Sequence, residues 1–257
     1  MSFTRKVRWA LDHPQSALKG IAGRLWYPKY KSHVGPPEMY EILGRYQFEL
    51  LLSWGLQPHH SLLDLGCGSL RAGRSFIQYL GPENYFGIEP SRKVLEDGIK
   101  HNLNRRVFEE KKPTFSNDGE FNLSVFNKRF DFILAHSILT HAAQHQIKKC
   151  FTEARKVMTA TSVFFANYNK GETDYTGKKW VYPLEDCDEG FHGAVTYTFS
   201  RLCSLAREAG LDCAEIDVEH PTGSTWLLVG EPNHIMRLSG RVSPNRCSQP
   251  GFDLATR

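Results

Sequence analysis

The chain has 257 residues, of which 40% are hydrophobic and 23% charged, and a formal net charge of +4 at neutral pH. This is ordinary globular usage, enough for one α/β domain with extensions, and it excludes a coiled coil or a largely disordered chain. A charge so mild argues for neither nucleic acid nor a membrane as partner.

No apolar run reaches the roughly 20 residues needed to span a bilayer. The first residues lack the continuous apolar core of a signal peptide, so a cytoplasmic protein is expected. The six cysteines are Cys67, Cys150, Cys187, Cys203, Cys213 and Cys247. None forms a C-x-x-C pair, which excludes a zinc ribbon and suits reduced thiols.

Residues 1–34 form a basic, aromatic extension. Arg5, Lys6, Arg8, Lys19, Arg24, Lys29 and Lys31 face Asp12 alone, with Trp9, Leu11, Leu18, Ile21, Leu25 and Trp26 between them. Pro14, Gly20 and Gly23 interrupt the helical period, which favours an extension lying over the domain. The alternative is a peripheral anchor on an anionic membrane or a partner. A helix follows over 37–56, with Pro36 and Pro37 at its start and Ile42, Leu43, Tyr46, Leu50 and Leu51 as its apolar stripe.

Residues 61–74 read as a buried strand ending in Asp64, a tight turn with Gly66 and Gly68, and the start of a helix. Glycine admits positive φ and lets a ligand approach the backbone. The helix start offers free N–H groups and partial positive charge. A dinucleotide fingerprint needs a third glycine where Arg71 stands, which disfavours a nicotinamide oxidoreductase. One helix downstream, residues 85–90 read as a second strand ending in Glu89, whose carboxylate can accept both hydroxyls of a ribose. Together, Asp64-x-Gly66-x-Gly68 and Glu89 resemble the motifs of class I S-adenosylmethionine (SAM)-dependent methyltransferases.

The remaining elements alternate as that resemblance implies. Helices are expected over 72–80 and 91–102, with Ser91 as a cap. A short third strand at 113–116 leads to Asn117 and Asp118. In the family this strand tip often bonds the adenine amino group, and an Asn-Asp-Gly turn alone explains the same residues. The fourth strand, 130–137, is apolar enough for burial on both faces and carries His136 at its end. His141 and His145 follow near a helix over 143–158. Their i, i+4 spacing offers two ligands with no third, so no metal is expected. A fifth strand covers 161–168. Residues 169–195 are polar and carry Tyr175, Trp180, Tyr182, Phe191 and His192, as in a substrate-binding lid, with a plain surface excursion as the alternative. A helix over 196–210 and a hairpin of strands 213–219 and 225–231 close the domain. Residues 232–257 read as a loose tail.

The resemblance over 37–231 implies a Rossmann-like, doubly wound α/β fold. Its sheet would have seven strands, mostly parallel, with a C-terminal antiparallel hairpin. It also implies SAM as cofactor, held by Asp64, Gly66, Gly68, Arg71, Glu89, Asn117, Asp118 and His136. Arg71 is the preferred partner of the methionine carboxylate, ahead of Arg74. His141 is the first candidate for the general base and His136 the second, and Trp180, Tyr182 and His192 would meet the acceptor. The Asp/Asn-Pro-Pro-Tyr motif of amino-directed nucleic-acid enzymes is absent, and so is the acid pair of metal-dependent catechol-type enzymes. Metal-independent O-methylation of a small molecule or glycan is therefore expected. The alternatives are a SAM-binding module without turnover, or a protein or nucleic-acid methyltransferase.

Overall fold

A computed structural model describes residues 27–181 and 194–239. A single turn of helix, α1 (Lys29–Ser32), precedes a 3₁₀ turn, Pro37–Met39, which opens α2 (Tyr40–Ser53). The first regular α-turn thus begins three residues later than expected. Beyond α2, Gly55 takes φ +92°, a conformation that ends a helix. Then come β1 (Leu62–Leu65), α3 (Gly73–Tyr79), β2 (Tyr85–Ile88), α4 (Arg92–Asn102), α5 (Arg105–Lys111), β3 (Thr114–Ser116) and β4 (Phe130–Ala135). The chain continues through α6 (Gln144–Val157), β5 (Met158–Lys170), β6 (Thr196–Tyr197), α7 (Phe199–Glu208), β7 (Asp212–Ile216), β8 (Thr225–Gly230) and α8 (Pro232–Ser239).

The strands lie in the order β3-β2-β1-β4-β5-β8-β7, with β6 paired to the end of β5. All pairs among β1–β5 are parallel, and β8 runs antiparallel to both β5 and β7. Two reversals return β7 to the direction of β5. The β7–β8 loop therefore lies at the same edge as the carboxyl ends of β1, β2 and β4. Strand order reverses at β1, between β2 and β4, and ligands of open α/β sheets bind at such a switch point.

The layers follow from strand alternation. Leu63, Ile133 and Phe164 face one core with Ile147, Phe151 and Leu205 of the helices, while Leu62, Phe132 and Phe165 face another with Leu50, Leu51 and Phe76. Both sheet faces are thus covered, which explains the near-continuous apolar runs. Trp226 of β8 is fully buried, and its indole N–H donates to the Tyr46 hydroxyl at 2.7 Å, tying the sheet to α2.

Four expectations need correction. The sheet has eight strands among the described residues, because Thr196 and Tyr197 pair with Asn169 and Lys170. The Thr198 hydroxyl caps α7 by accepting the Arg201 amide at 3.2 Å, which delays the helix to Phe199 and leaves 196–197 extended. Helix α5 was not foreseen. Asn104 caps it through the Val107 amide at 2.8 Å, and its surface is polar, with an Arg105–Glu109 pair in place of an apolar stripe. Finally, 232–239 is helical and not loose. Proline suits its first turn, and Ile235 is buried against the sheet.

Candidate active site

The turn after β1 is shaped by its residues. Gly66 and Gly68 take φ +75° and +55°. The amides of Gly66 and Cys67 donate to the Ile88 carbonyl at 2.8 and 3.0 Å, folding the turn against β2. A Cβ on Gly68 would collide with the Val34 side chain, and one on Gly66 with Ile138. Asp64 is buried and accepts from the Tyr85 hydroxyl at 2.7 Å. Burial pushes its carboxyl up to about 6, against the opposing pull of that hydrogen bond and of Arg71. Asp64 thus braces the turn from below.

Glu89 stands at the tip of β2. One carboxylate oxygen accepts the Gly68 amide at 3.2 Å and the other the Ser91 amide at 2.8 Å. Burial raises its pKa and these two backbone donors lower it. Each oxygen keeps a further lone pair for another donor. Asn117 lies beside it, donating to the Glu89 carbonyl at 2.8 Å. Asp118 accepts the amides of Glu120 and Asn122 at 2.9 and 2.8 Å, which is the Asx turn weighed as one of its two roles.

Arg71 is the most unusual group. It is a buried guanidinium, yet among the described residues no carboxylate comes within ion-pair distance. One terminal nitrogen donates to the Val34 carbonyl at 2.7 Å, the other to His136 Nδ1 at 2.9 Å, and Nε has no partner. Burial brings its pKa down to about 10. A buried guanidinium without a counter-charge is costly to keep. Arg74, by contrast, pairs with the exposed Glu41 and lies 5.5 Å from the centre of the Tyr40 ring. Tyr40 donates to the Ser69 carbonyl at 2.8 Å and Gln47 to the Leu43 carbonyl at 2.8 Å.

His136 lies just past β4. Because Arg71 can only donate, His136 Nδ1 accepts from it, and His136 Nε2 lies 2.9 Å from His220 Nε2. His220 Nδ1 accepts the Thr222 amide at 3.1 Å and lies 2.9 Å from the Thr222 hydroxyl. Both ring nitrogens of His136 are therefore engaged. His220 was not expected here. It was read only as the start of a hairpin loop, and the antiparallel return of β8 places that loop at the same edge as the glycine turn. Asn167 was also missed. It is buried, and its side chain accepts the Ser137 amide at 2.6 Å, where Ser137 takes φ +61°.

These rings are held neutral. Burial first and Arg71 second push His136 far below its ordinary value and bring His220 down to about 4. Unfolded histidine titrates near 6.5, so between these values the unfolded chain binds more protons and acid destabilises the fold. The stabilisation is full above pH 6.5 and is lost as pH falls towards 4. Asp64 works in the opposite sense, since its raised pKa makes the folded state bind its proton first. The decisive measurement is therefore a difference. The gap in unfolding free energy between wild type and His220→Phe should narrow by about 2–3 kcal/mol from pH 7 to pH 4.5. A gap that stays constant with pH would show that His220 is not held neutral by the fold.

His141 and Trp180 come together, with ring centres 5.9 Å apart, and the Val181 amide donates to the His141 carbonyl at 2.9 Å. His145 is exposed and lines an open cavity of about 640 Å³ with Gln144, Thr176, Gly177 and Lys178. Tyr182 and His192 lie outside the described residues, as do residues 1–26 of the extension. Its remainder lies over the glycine turn. Tyr30 stacks on His101 at 4.8 Å, His33 meets Asp97 at 3.0 Å, and Val34 contacts both Gly68 and Arg71.

Comparison with known proteins agrees with this geometry. The family model described as a methyltransferase domain matches residues 63–164. No curated protein matches. Among solved structures, a SAM-dependent methyltransferase from Clostridium acetobutylicum shares 16% identity at TM-score 0.53, over 75% of this chain and 92% of that one. Magnesium protoporphyrin IX methyltransferase from Synechocystis, with bound SAM, shares 11% identity at TM-score 0.56, over 90% and 98% of the two chains. The glycopeptide N-methyltransferase MtfA, complexed with SAM, shares 12% identity at TM-score 0.56, over 74% and 94%. At these identities the likeness is one of fold, and no membrane-crossing helix is found among the described residues.

Proposed function

We propose that this chain, which matches a methyltransferase-domain model over residues 63–164 and shares the fold of SAM-dependent methyltransferases, transfers a methyl group from SAM to an oxygen of a small molecule or glycan, without a metal. The observation that carries this reading is the buried Arg71 guanidinium beside the glycine turn, bonded only to neutral acceptors. A methionine carboxylate is the anion it fits. Gly66 and Gly68 shape the turn that faces the cofactor, Glu89 takes the ribose hydroxyls, and Asn117 with Asp118 lies by the adenine. His136 lines the pocket near the methyl.

SAM, when bound, supplies a methyl already activated on a sulfonium. The protein then has to align the acceptor and remove its proton. His141 is the base in this reading, and Trp180, Tyr182 and His192 hold the acceptor. The fold neighbours named for porphyrin and glycopeptide acceptors support a small-molecule or glycan class.

Titration calorimetry with SAM tests the cofactor. Glu89→Ala should weaken binding by about 1.5–3 kcal/mol, the range for hydrogen bonds to a charged group. Unchanged affinity in a folded variant removes Glu89 from the ribose. Radiolabelled SAM offered with fractionated metabolites and glycans tests transfer. Turnover should be equal with and without EDTA. Loss with EDTA, restored by one divalent ion, would overturn the metal-free reading, and tight binding without transfer to any acceptor would favour a binding module.

A further inference from the structure

At the opposite end of β7 from His220 lies a second cluster. Cys203 sits on the buried face of α7 with Leu202, Leu205 and Ala206, and Cys213 is the first inward residue of β7. The two sulfurs are 2.8 Å apart. That is about 0.8 Å longer than a disulfide bond of ~2.05 Å. The connection between helix and strand holds this approach in place. Gly210 takes φ +75°, its amide donates to Arg207 at 2.9 Å, and the Leu211 amide donates to Ala206 at 2.9 Å. This three-residue link leaves little freedom for α7 to slide along β7.

We infer that Cys203 and Cys213 are a dithiol–disulfide pair, a redox modification site that clips α7 to β7. Asp212 lies close enough to suggest a metal instead. Its carboxylate, however, already accepts the Cys213 amide at 3.0 Å and the Arg207 guanidinium at 3.2 Å. The site therefore offers a metal two thiols and one engaged acid, fewer than the four ligands of a structural zinc site.

The two thiols are not equivalent. Burial raises both, but the Cys213 contact and the Arg207 charge, one helical turn on, pull Cys203 back down, whereas the same contact raises Cys213. Cys203 is thus the first to ionise, and the thiolate is the nucleophile. The oxidant is a low-molecular-weight disulfide such as oxidised glutathione. Cys203 thiolate attacks one sulfur and expels one thiolate. Cys213, losing its proton, then attacks the Cys203 sulfur of the mixed disulfide and expels the second thiolate. Two protein thiols are oxidised and one small disulfide is reduced to two thiols.

The test uses the full chain, incubated with oxidised glutathione or with dithiothreitol, denatured in N-ethylmaleimide and digested with trypsin. Residues 202–207 and 208–237 should appear joined and two hydrogens lighter in the oxidised sample, and separately alkylated in the reduced one. Cys203→Ser should abolish the joined peptide. The oxidised wild type should also melt higher by roughly 5 °C or more, as expected for closing a short loop. This comparison holds even if the variant folds poorly. Full alkylation of both cysteines after oxidation, a stable glutathione adduct at Cys203, a link to another cysteine, or a bound zinc that blocks labelling would each overturn the assignment.

Discussion

Replacing Arg71 with methionine should weaken SAM binding by about 2–5 kcal/mol, the cost of removing one partner of a buried charge pair. The same change should leave the cofactor-free fold within about 1 kcal/mol of wild type, or stabilise it, because a buried unpaired charge is exchanged for an apolar side chain of similar length. The two effects run in opposite directions, and that opposition is the signature of an anion site. A purely structural arginine predicts the reverse. It would act as a strut between the Val34 carbonyl and His136, and its loss would cost stability and leave affinity unchanged. Calorimetry and urea unfolding on one pair of proteins separate these outcomes.

The parts of this site legible in the sequence are those set by local chemistry. Gly66, Gly68 and Glu89 occupy the expected turn and strand tip, while Asp64 lies within β1, one residue before its end at Leu65. The parts not legible depend on pairing across long separations. His220 is 84 residues from His136, and nothing near it in the chain marks it as a site residue. Only the antiparallel return of β8 beside β5 brings its loop to that edge. Asn167 reads as one polar residue in a strand, and its role needs the positive φ of Ser137, two residues past the neighbouring strand β4. The basic extension read as a cover over the domain; in its described residues Lys31 pairs with Glu41 and His33 with Asp97, and Val34 adds apolar and backbone contacts. Charge pattern cannot reveal the Val34 contacts, because the partners are a glycine without a side chain and an arginine that was itself expected to face a ligand.

The last prediction separates the base from the lid. His141 is 5.9 Å from Trp180, centre to centre, beside the segment expected to close over the acceptor. His136, in contrast, has both ring nitrogens bonded within the Arg71–His220 chain. If His141 takes the acceptor's proton, His141→Ala should lower kcat by roughly 10²–10⁴-fold while SAM still binds. His136→Ala should act mainly on the cofactor, since it removes the acceptor for one Arg71 nitrogen. Trp180→Ala should chiefly raise the acceptor's KM, because contacts made before the transition state contribute equally to both states. The three variants thus divide among kcat, SAM affinity and KM. Measured across pH 6–9 once an acceptor is identified, near-wild-type kcat in both histidine variants would remove histidine from proton transfer. Catalysis would then rest on holding an already ionised or acidic oxygen in line with the methyl.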